Sequence, residues 1–370
     1  MMLLNVTMIN DQRIFSGIST HFYKIYSNLM RHKISTEFHQ FLISEDKPEV
    51  HNALIKFGWL HNIDGNSKYF YNAKLALNFL TGTNWRSFKN LSSDIMLLSG
   101  PTLLPLTRYN NASIVIGHDL YFLDHFGGSM ILNRYMRNKY THFKDAQLIA
   151  VDSFFTKKEF IEKLKIEEDK IEVVYPYIDS KLFYPRTSTI RNTLKISEKD
   201  VLLLSVGGDS PNKNIESILK LMHLLPPNFK LIRVGRNFNT LRMISDLNLR
   251  DRVVTLGSVS TEFLVELYRG CDIFLFPSLY EGFGIPLVEA MASGIPFITS
   301  DRGSLPEVAG DSGIILDPFD LTSMSNSVIQ IANDESFKKE IVKKGLKRAE
   351  CFSAEMQFQS LQRILERVTL

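Results

Sequence analysis

Two carboxylates, Glu281 and Glu289, stand eight positions apart, separated by Gly282, Phe283, Gly284, Ile285, Pro286, Leu287 and Val288. The segment is entered from the apolar run Ile273–Phe276, which reads as a buried strand. Its two glycines supply backbone angles closed to other residues, and Pro286 suits a first helical turn, where its missing N–H costs nothing. The amides of Gly282, Phe283 and Gly284 would then open a helix and form a site for an anion, most often phosphate. Glu289 is expected in the first helical turn, close to whatever those amides bind. A carboxylate repels phosphate at short range, so its partner in this reading is a pair of hydroxyls such as those of a ribose. The chemistry is that of a holder for a nucleoside diphosphate. A plain tight turn would use the same residues, and both readings stand on these nine positions alone.

Three other strand ends carry polar residues of interest. Val201–Val206 is followed by Gly207-Gly208-Asp209-Ser210-Pro211-Asn212-Lys213, the first apolar run is followed by Ser16-Gly17-Ile18-Ser19, and Ser113–Ile116 is followed by His118-Asp119. Imidazole can donate or accept a hydrogen bond near neutral pH. The plain alternatives are a solvated lysine beside a helix cap, an ordinary glycine turn and a structural histidine at a strand end. No Asp-x-Asp follows an apolar run: Glu167–Asp169 is a charged loop, and Asp317–Asp320 encloses Pro318 in a turn. A metal-bridged diphosphate is therefore not expected.

These residues need strands and helices to position them. Short apolar runs at 2–9, 37–43, 94–98, 113–116, 147–151 and 171–175 alternate with amphipathic stretches such as 18–30 and 156–164. That order predicts a largely parallel sheet with helices on both faces. The alternation restarts at 201–206 and recurs at 230–234, 252–256, 273–276 and 296–299, with a linker near 180–195 around Pro185. At 370 residues the chain suffices for two such domains. Ligands of doubly wound sheets bind beyond the carboxyl ends of the strands. Two domains facing each other would make an interdomain cleft.

Composition narrows the classes further. An apolar share of 44% is ordinary for a globular protein, and a net charge of +3 gives no electrostatic reason for a nucleic-acid partner. The two cysteines, Cys271 and Cys351, lack metal-ligand spacing and read as free thiols in a reducing compartment. The opening run Met1–Asn10 stops at Asp11 and reads as a strand rather than a signal peptide. No apolar segment approaches the ~18 residues of a membrane span, so a cytoplasmic protein is expected.

The run Phe276-Pro277-Ser278-Leu279-Tyr280-Glu281-Gly282-Phe283-Gly284, continued by Glu289-Ala290-Met291-Ala292-Ser293-Gly294 and Ser304-Leu305-Pro306-Glu307-Val308-Ala309-Gly310, resembles the signature of the retaining nucleotide-sugar glycosyltransferases with the Glu-x7-Glu motif. This is glycosyltransferase family 4, the glycosyl transferases group 1. The resemblance implies an α/β protein of GT-B fold, with two Rossmann-like doubly wound parallel-sheet domains facing an interdomain cleft. An N-terminal acceptor domain would span 1–184, a C-terminal nucleotide-sugar-binding domain 185–352, and a helix over 353–370 would cross back to the first domain. It further implies that Lys213 meets the donor diphosphate, that Gly17 closes over the donor, that His118 contacts the transferred sugar, and that backbone near Val259 meets the nucleobase. Glu281 would position the sugar and Glu289 the ribose. Members usually carry a second basic residue shortly before the lysine, where this chain has Gly208 and Asp209. A carboxylate there repels a diphosphate unless it is turned away or hydrogen-bonded to the loop.

The reaction implied is hexosyl transfer with retention by front-face attack, the leaving diphosphate accepting the acceptor's proton, without a metal or other cofactor. The motif resembles those of many mannosyltransferases, which points to GDP-mannose ahead of a UDP-hexose. Residues 51–150 hold ten Lys/Arg against five Asp/Glu, with aromatics such as Trp59, Tyr69, Phe70 and Trp85. Such a surface would suit peripheral contact with an anionic membrane and a lipid-linked or glycan acceptor; the aromatics would equally fill a core. A sugar-nucleotide epimerase or a non-catalytic partner subunit on the same fold are the alternatives, the second favoured by Asp209.

Overall fold

The computed structural model of the chain describes residues 5–10, 24–25, 27–32, 34–40, 95–100, 112–121, 123, 140–235 and 238–369. Among them, twelve strands form two all-parallel six-stranded sheets. Each of the eleven apolar runs named above overlaps one of these strands. The twelfth, Ile314–Leu316, is three residues long, too short to show a period. Backbone contacts divide the chain into a first unit of 1–152, 156–174 and 358–370 and a second of 153–155 and 175–357.

The first sheet holds β1 (Asn5–Asn10), β2 (Ser35–Gln40), β3 (Ile95–Ser99), β4 (Ala112–Gly117), β5 (Leu148–Val151) and β6 (Ile171–Val173), in the order β2-β1-β3-β4-β5-β6. One face packs Ile95, Leu97, Ile114, Ile116 and Leu148 against Ile25, Leu29 and Leu361, Ile364, Leu365 and Val368 of the C-terminal helix Ala354–Thr369. Those four side chains recur at helical spacing, and burying each stabilises the docked helix by about 1.5–3 kcal/mol. On the other face Leu98, Val115, Ile149 and Val151 meet Tyr140, Phe143 and Phe160, the last from helix α1 (Phe154–Leu164). Strands β4 and β5 run in register at Gly117 and Val151, so the residues that follow, His118 and Asp152, leave the sheet side by side.

The second sheet holds β7 (Val201–Val206), β8 (Phe229–Val234), β9 (Val253–Leu256), β10 (Ile273–Phe276), β11 (Phe297–Ser300) and β12 (Ile314–Leu316), in the order β12-β11-β10-β7-β8-β9. Winding proceeds outward from β7 through β8 to β9, then restarts at β10 on the opposite side. The direction thus reverses between β7 and β10, the switch point at which such sheets take ligands. Strand β10 is buried along its whole length, as a parallel strand covered on both faces must be. Helices α2 (Ile215–Leu221), α3 (Phe238–Asp246), α4 (Thr261–Gly270), α5 (Ile285–Ser293) and α6 (Leu305–Ala309) follow successive strands. No described helix is long and apolar enough to cross a membrane.

Candidate functional site

The loops leaving β7 and β10 at the switch point are Gly207–Lys213 and Pro277–Gly284, and hydrogen bonds join them. The Leu279 N–H donates to the Asn212 carbonyl at 2.7 Å, the Asn212 side chain donates to the Tyr280 carbonyl at 3.0 Å, and Asn214 donates to the Pro277 carbonyl at 3.2 Å. The two loops bring together two residues singled out in the sequence: Lys213 Nζ lies 2.6 Å from Glu281 Oε1, with the side chains 20% and 12% exposed. Lys213 also sits 5.5 Å from the centre of the Phe276 ring.

Beyond Glu281 the chain turns into α5 as its sequence predicts. Gly284 is the N-cap with φ at +98°, in the left-handed region, and a Cβ there would come 2.8 Å from the Leu305 side chain. Pro286 occupies the second helical position. Phe283 turns its ring into the core against Tyr175 and Phe352, so only its backbone is left to act at the site. The Gly282 carbonyl accepts from the Ser153 hydroxyl at 2.6 Å, and Ser304 donates its N–H and hydroxyl to the Glu281 carbonyl at 3.2 and 3.0 Å. The Glu281–Gly284 turn is thus fastened from two directions.

Glu289 corrects the sequence expectation in one respect. Since α5 begins at Ile285, Glu289 is its fifth residue and belongs to the second turn. Its carboxylate is held by the Tyr268 hydroxyl of α4 at 3.0 Å, which also lies 3.2 Å from the Pro286 carbonyl. Burial, with the Glu289 charge beside it, pushes the Tyr268 phenol well above its ordinary value, so it stays a donor. Val259 lies in the loop between β9 and α4, its side chain packed on the core, next to Ser260, which caps α4 by accepting from the Phe263 N–H at 3.2 Å.

Asp209, the residue that seemed ill placed in sequence, is hydrogen-bonded. It accepts from the Thr240 hydroxyl at 2.5 Å and the Asn239 N–H at 3.0 Å, at the start of α3. A helix N-terminus favours a carboxylate there. Beneath the same loop lies Arg233 of β8, among the largest wholly buried side chains described. Its guanidinium donates to the Gly208 carbonyl at 2.7 Å and to the Val234 and Ser205 carbonyls. Burial pulls its pKa down to about 10, against the opposing pull of Asp209, so it remains charged at neutral pH.

In the first unit, His118 Nδ1 donates to Asp152 Oδ2 at 2.7 Å, both residues being buried. Burial would lower the imidazole pKa, but the charge and hydrogen bond of Asp152, helped by the charge of Asp119, outweigh it and hold His118 above its ordinary value. The carboxylate fixes the proton on Nδ1 and so orients Nε2. Asp119 accepts from the Tyr121 N–H at 2.9 Å, closing the turn after β4. Lys157 pairs with Glu168 at 3.4 Å, an ordinary helix lysine. Gly17 lies outside the described residues. Among those described, no three His, Cys, Asp or Glu side chains gather as a metal site would require.

Sequence reading gave no role to Tyr268, Asp152, Arg233 or Glu307, although Glu307 lies in the signature run. Glu307, on α6, accepts from the Phe154 and Phe155 N–H groups at 2.8 and 3.0 Å and from the Tyr175 hydroxyl at 2.9 Å. The Asp152 partnership had a usable signal, since two polar residues end strands predicted to be neighbours. The others depend on contacts between distant segments and left none.

Over 236 residues, 60% of this chain, the sequence is 33% identical to O-antigen chain mannosyltransferase B of Escherichia coli, covering 61% of that protein. It is 26% identical over 276 residues to the serotype-specific mannosyltransferase WbdA of Escherichia coli, covering 34% of it. The chain therefore matches less than two thirds of the length of these relatives. The structure superposes on sucrose-phosphate synthase from Thermosynechococcus elongatus with a TM-score of 0.80 at 17% identity, covering 99% of both chains. Two parallel α/β sheet domains with such neighbours make this the GT-B fold. Residues 186–348, which contain β7 to β12 and both joined loops, match the model of the family described as glycosyl transferases group 1.

Proposed function

We propose that the chain is a retaining hexosyltransferase that moves a mannosyl group from a nucleoside-diphosphate sugar to a glycan or lipid-linked hydroxyl. The observation that carries this reading is the Lys213–Glu281 pair at the β7–β10 switch point, with the Gly282–Gly284 turn beside it and Glu289 held on the helix that follows. In this reading Lys213, the loop amides and the α5 N-terminus take the diphosphate, and Glu289 takes the ribose hydroxyls. Glu281 accepts from the hexose hydroxyls, and His118 contacts the transferred sugar. Val259 backbone meets the base.

Glu281 and Glu289 belong to one turn–helix unit, so they cannot flank a glycosidic bond as a hydrolase pair would. Retention then follows from front-face attack, with the acceptor proton passing to the departing diphosphate oxygen. The charge that develops on that oxygen is met by preorganised donors, Lys213 and backbone amides, without a metal. Mannose is preferred over other hexoses because O-antigen chain mannosyltransferase B and WbdA are named for it. Cytoplasmic location, at the inner face of a membrane where a lipid-linked acceptor would be met, completes the proposal.

The test is thermal unfolding of the purified chain with GDP-, UDP-, ADP- and dTDP-sugars, followed by turnover with the donor that shifts it. A donor at a hundredfold its Kd raises stability by ~2.7 kcal/mol. The reading expects a shift with GDP-mannose that is lost in Glu289→Ala, and release of GDP only when an acceptor is present. No shift with any donor, or turnover without acceptor, would sink it.

A further inference from the structure

Between β7 and Lys213 the loop carries one charged residue, Asp209, and it is acidic. A loop meant to receive an anion is thereby left with a single cation at its far end. The deficit is met from below. Arg233 is 0% exposed, its Nε has no hydrogen-bond partner among the described residues, and its terminal nitrogens are spent on backbone carbonyls rather than on a carboxylate. An arginine buried in this way is costly, and packing alone would be served better by an apolar side chain.

The backbone explains what it does there. A trans peptide points its carbonyl and its N–H in opposite directions. Drawing the Gly208 carbonyl down onto Arg233 at 2.7 Å turns the Asp209 N–H upward, away from the guanidinium. Room for this comes from two glycines. A Cβ on Gly235, at φ +123°, would come 1.8 Å from the Gly207 carbonyl oxygen and 3.4 Å from Arg233 Nη1, so only glycine admits both. On its other side Gly207 lies against the Lys213 stem, whose Cδ would be 3.4 Å from an added Cβ. Lys213 thus lies against Gly207, and Arg233 holds the carbonyl of the next residue, Gly208. Asp209, bonded to Thr240 and Asn239, takes its own charge away to α3.

We propose that Arg233 is a positioning residue for the diphosphate, presenting the Gly208–Asp209 peptide N–H to the anion that Lys213 meets and adding a buried positive charge behind it. The inference rests on the donor reading given above. Its test is the ratio of GDP to GMP affinity, or UDP to UMP, by titration calorimetry on the full chain. In Arg233→Met that ratio falls at least tenfold. In Arg233→Lys it falls at least threefold, because one ammonium keeps the charge but cannot hold both the Gly208 and Ser205 carbonyls. The lysine variant retains a buried cation and keeps the question answerable if the methionine variant does not fold. A purely structural arginine would weaken mono- and diphosphate alike, so an unchanged ratio in the variants that fold overturns the inference. A wild-type chain that binds neither GDP nor UDP overturns the donor reading and this inference with it.

Discussion

Replacing Glu281 with glutamine should tighten the binding of a free nucleoside diphosphate while slowing sugar transfer. In the structure Lys213 gives one of its three N–H donors to Glu281 at 2.6 Å, in surroundings where neither side chain is more than a fifth exposed. A charge-assisted hydrogen bond of this kind contributes about 1.5–3 kcal/mol net. A diphosphate arriving at Lys213 must share that ammonium and approach a carboxylate of its own sign, so part of this energy opposes binding. Glutamine keeps the shape and removes the charge. Recovering roughly half of the upper figure, ~1.4 kcal/mol, corresponds to tenfold tighter binding. Titration with GDP and UDP at low and high salt reads the effect, which should be larger at low salt because the freed lysine adds one effective positive charge. Turnover with the sugar-bearing donor should fall in the same protein, since glutamine is a poorer acceptor for the hexose hydroxyls. If Glu281→Gln binds GDP and UDP no better than wild type at low salt, the pair does not oppose the anion and the reasoning fails.

Three further outcomes follow from other parts of the molecule. His118 has a folded-state pKa above its unfolded value near 6.5, so its contribution to stability is fully present below that pH and fades as pH rises through the folded value. Asp152→Asn leaves burial as the dominant influence, so the melting-temperature deficit of the variant should widen from pH 8 toward pH 5; a deficit independent of pH would contradict the assignment. Tyr268→Phe removes the hydroxyl that holds Glu289 and should cost about 1 kcal/mol of stability with several-fold weaker GDP binding, while leaving pyrophosphate binding unchanged in calorimetry. Glu307→Ala strips acceptors from two backbone N–H groups and the Tyr175 hydroxyl and should cost about 2–4 kcal/mol, read from the urea midpoint; a loss under 1 kcal/mol would show that water replaces it fully.

Strand positions were readable because parallel strands buried on both faces are continuous apolar runs, such as Ile273–Phe276, set apart by polar helices. The turn from β10 into α5 was readable because its glycines and Pro286 are local instructions. What could not be read were partnerships across sequence distance. Asp209 looked like a misplaced carboxylate, and only the closeness of β7 and β8 brings Thr240 and Asn239 to it. Arg233 sits in a run of apolar residues, and periodicity alone gives no hint that its charge reaches the loop after another strand. Glu289 is the fifth residue of a helix that opens at Ile285, just past the first turn where the sequence suggests it, because glycine and proline mark a helix start without fixing its first residue. Residues 175–184, expected in the first domain, group with the second unit because Tyr175, Ile178 and Phe183 pack in its core.

The pairing of charges also bears on what the site refuses. Lys213 faces Glu281, Arg233 faces Asp209 across its hydrogen-bonded carbonyls, and Glu289 stands on the helix beyond the loop. With Asp209 turned to α3, Glu281 and Glu289 still offset the charges of Lys213 and Arg233, which makes a poor host for inorganic phosphate or pyrophosphate. A ligand gains there only if it brings hydroxyls to the carboxylates while its phosphates occupy the lysine and the amides. Ribose on one side of a diphosphate and a hexose on the other meet that condition; a bare anion meets half of it. Discrimination here is built by repulsion as much as by attraction. GDP should therefore bind more tightly than pyrophosphate by at least tenfold, and Glu289→Gln should narrow that gap by strengthening pyrophosphate as well as by weakening GDP. A Glu289→Gln protein whose pyrophosphate affinity is unchanged would show that only the attractive half operates at that position.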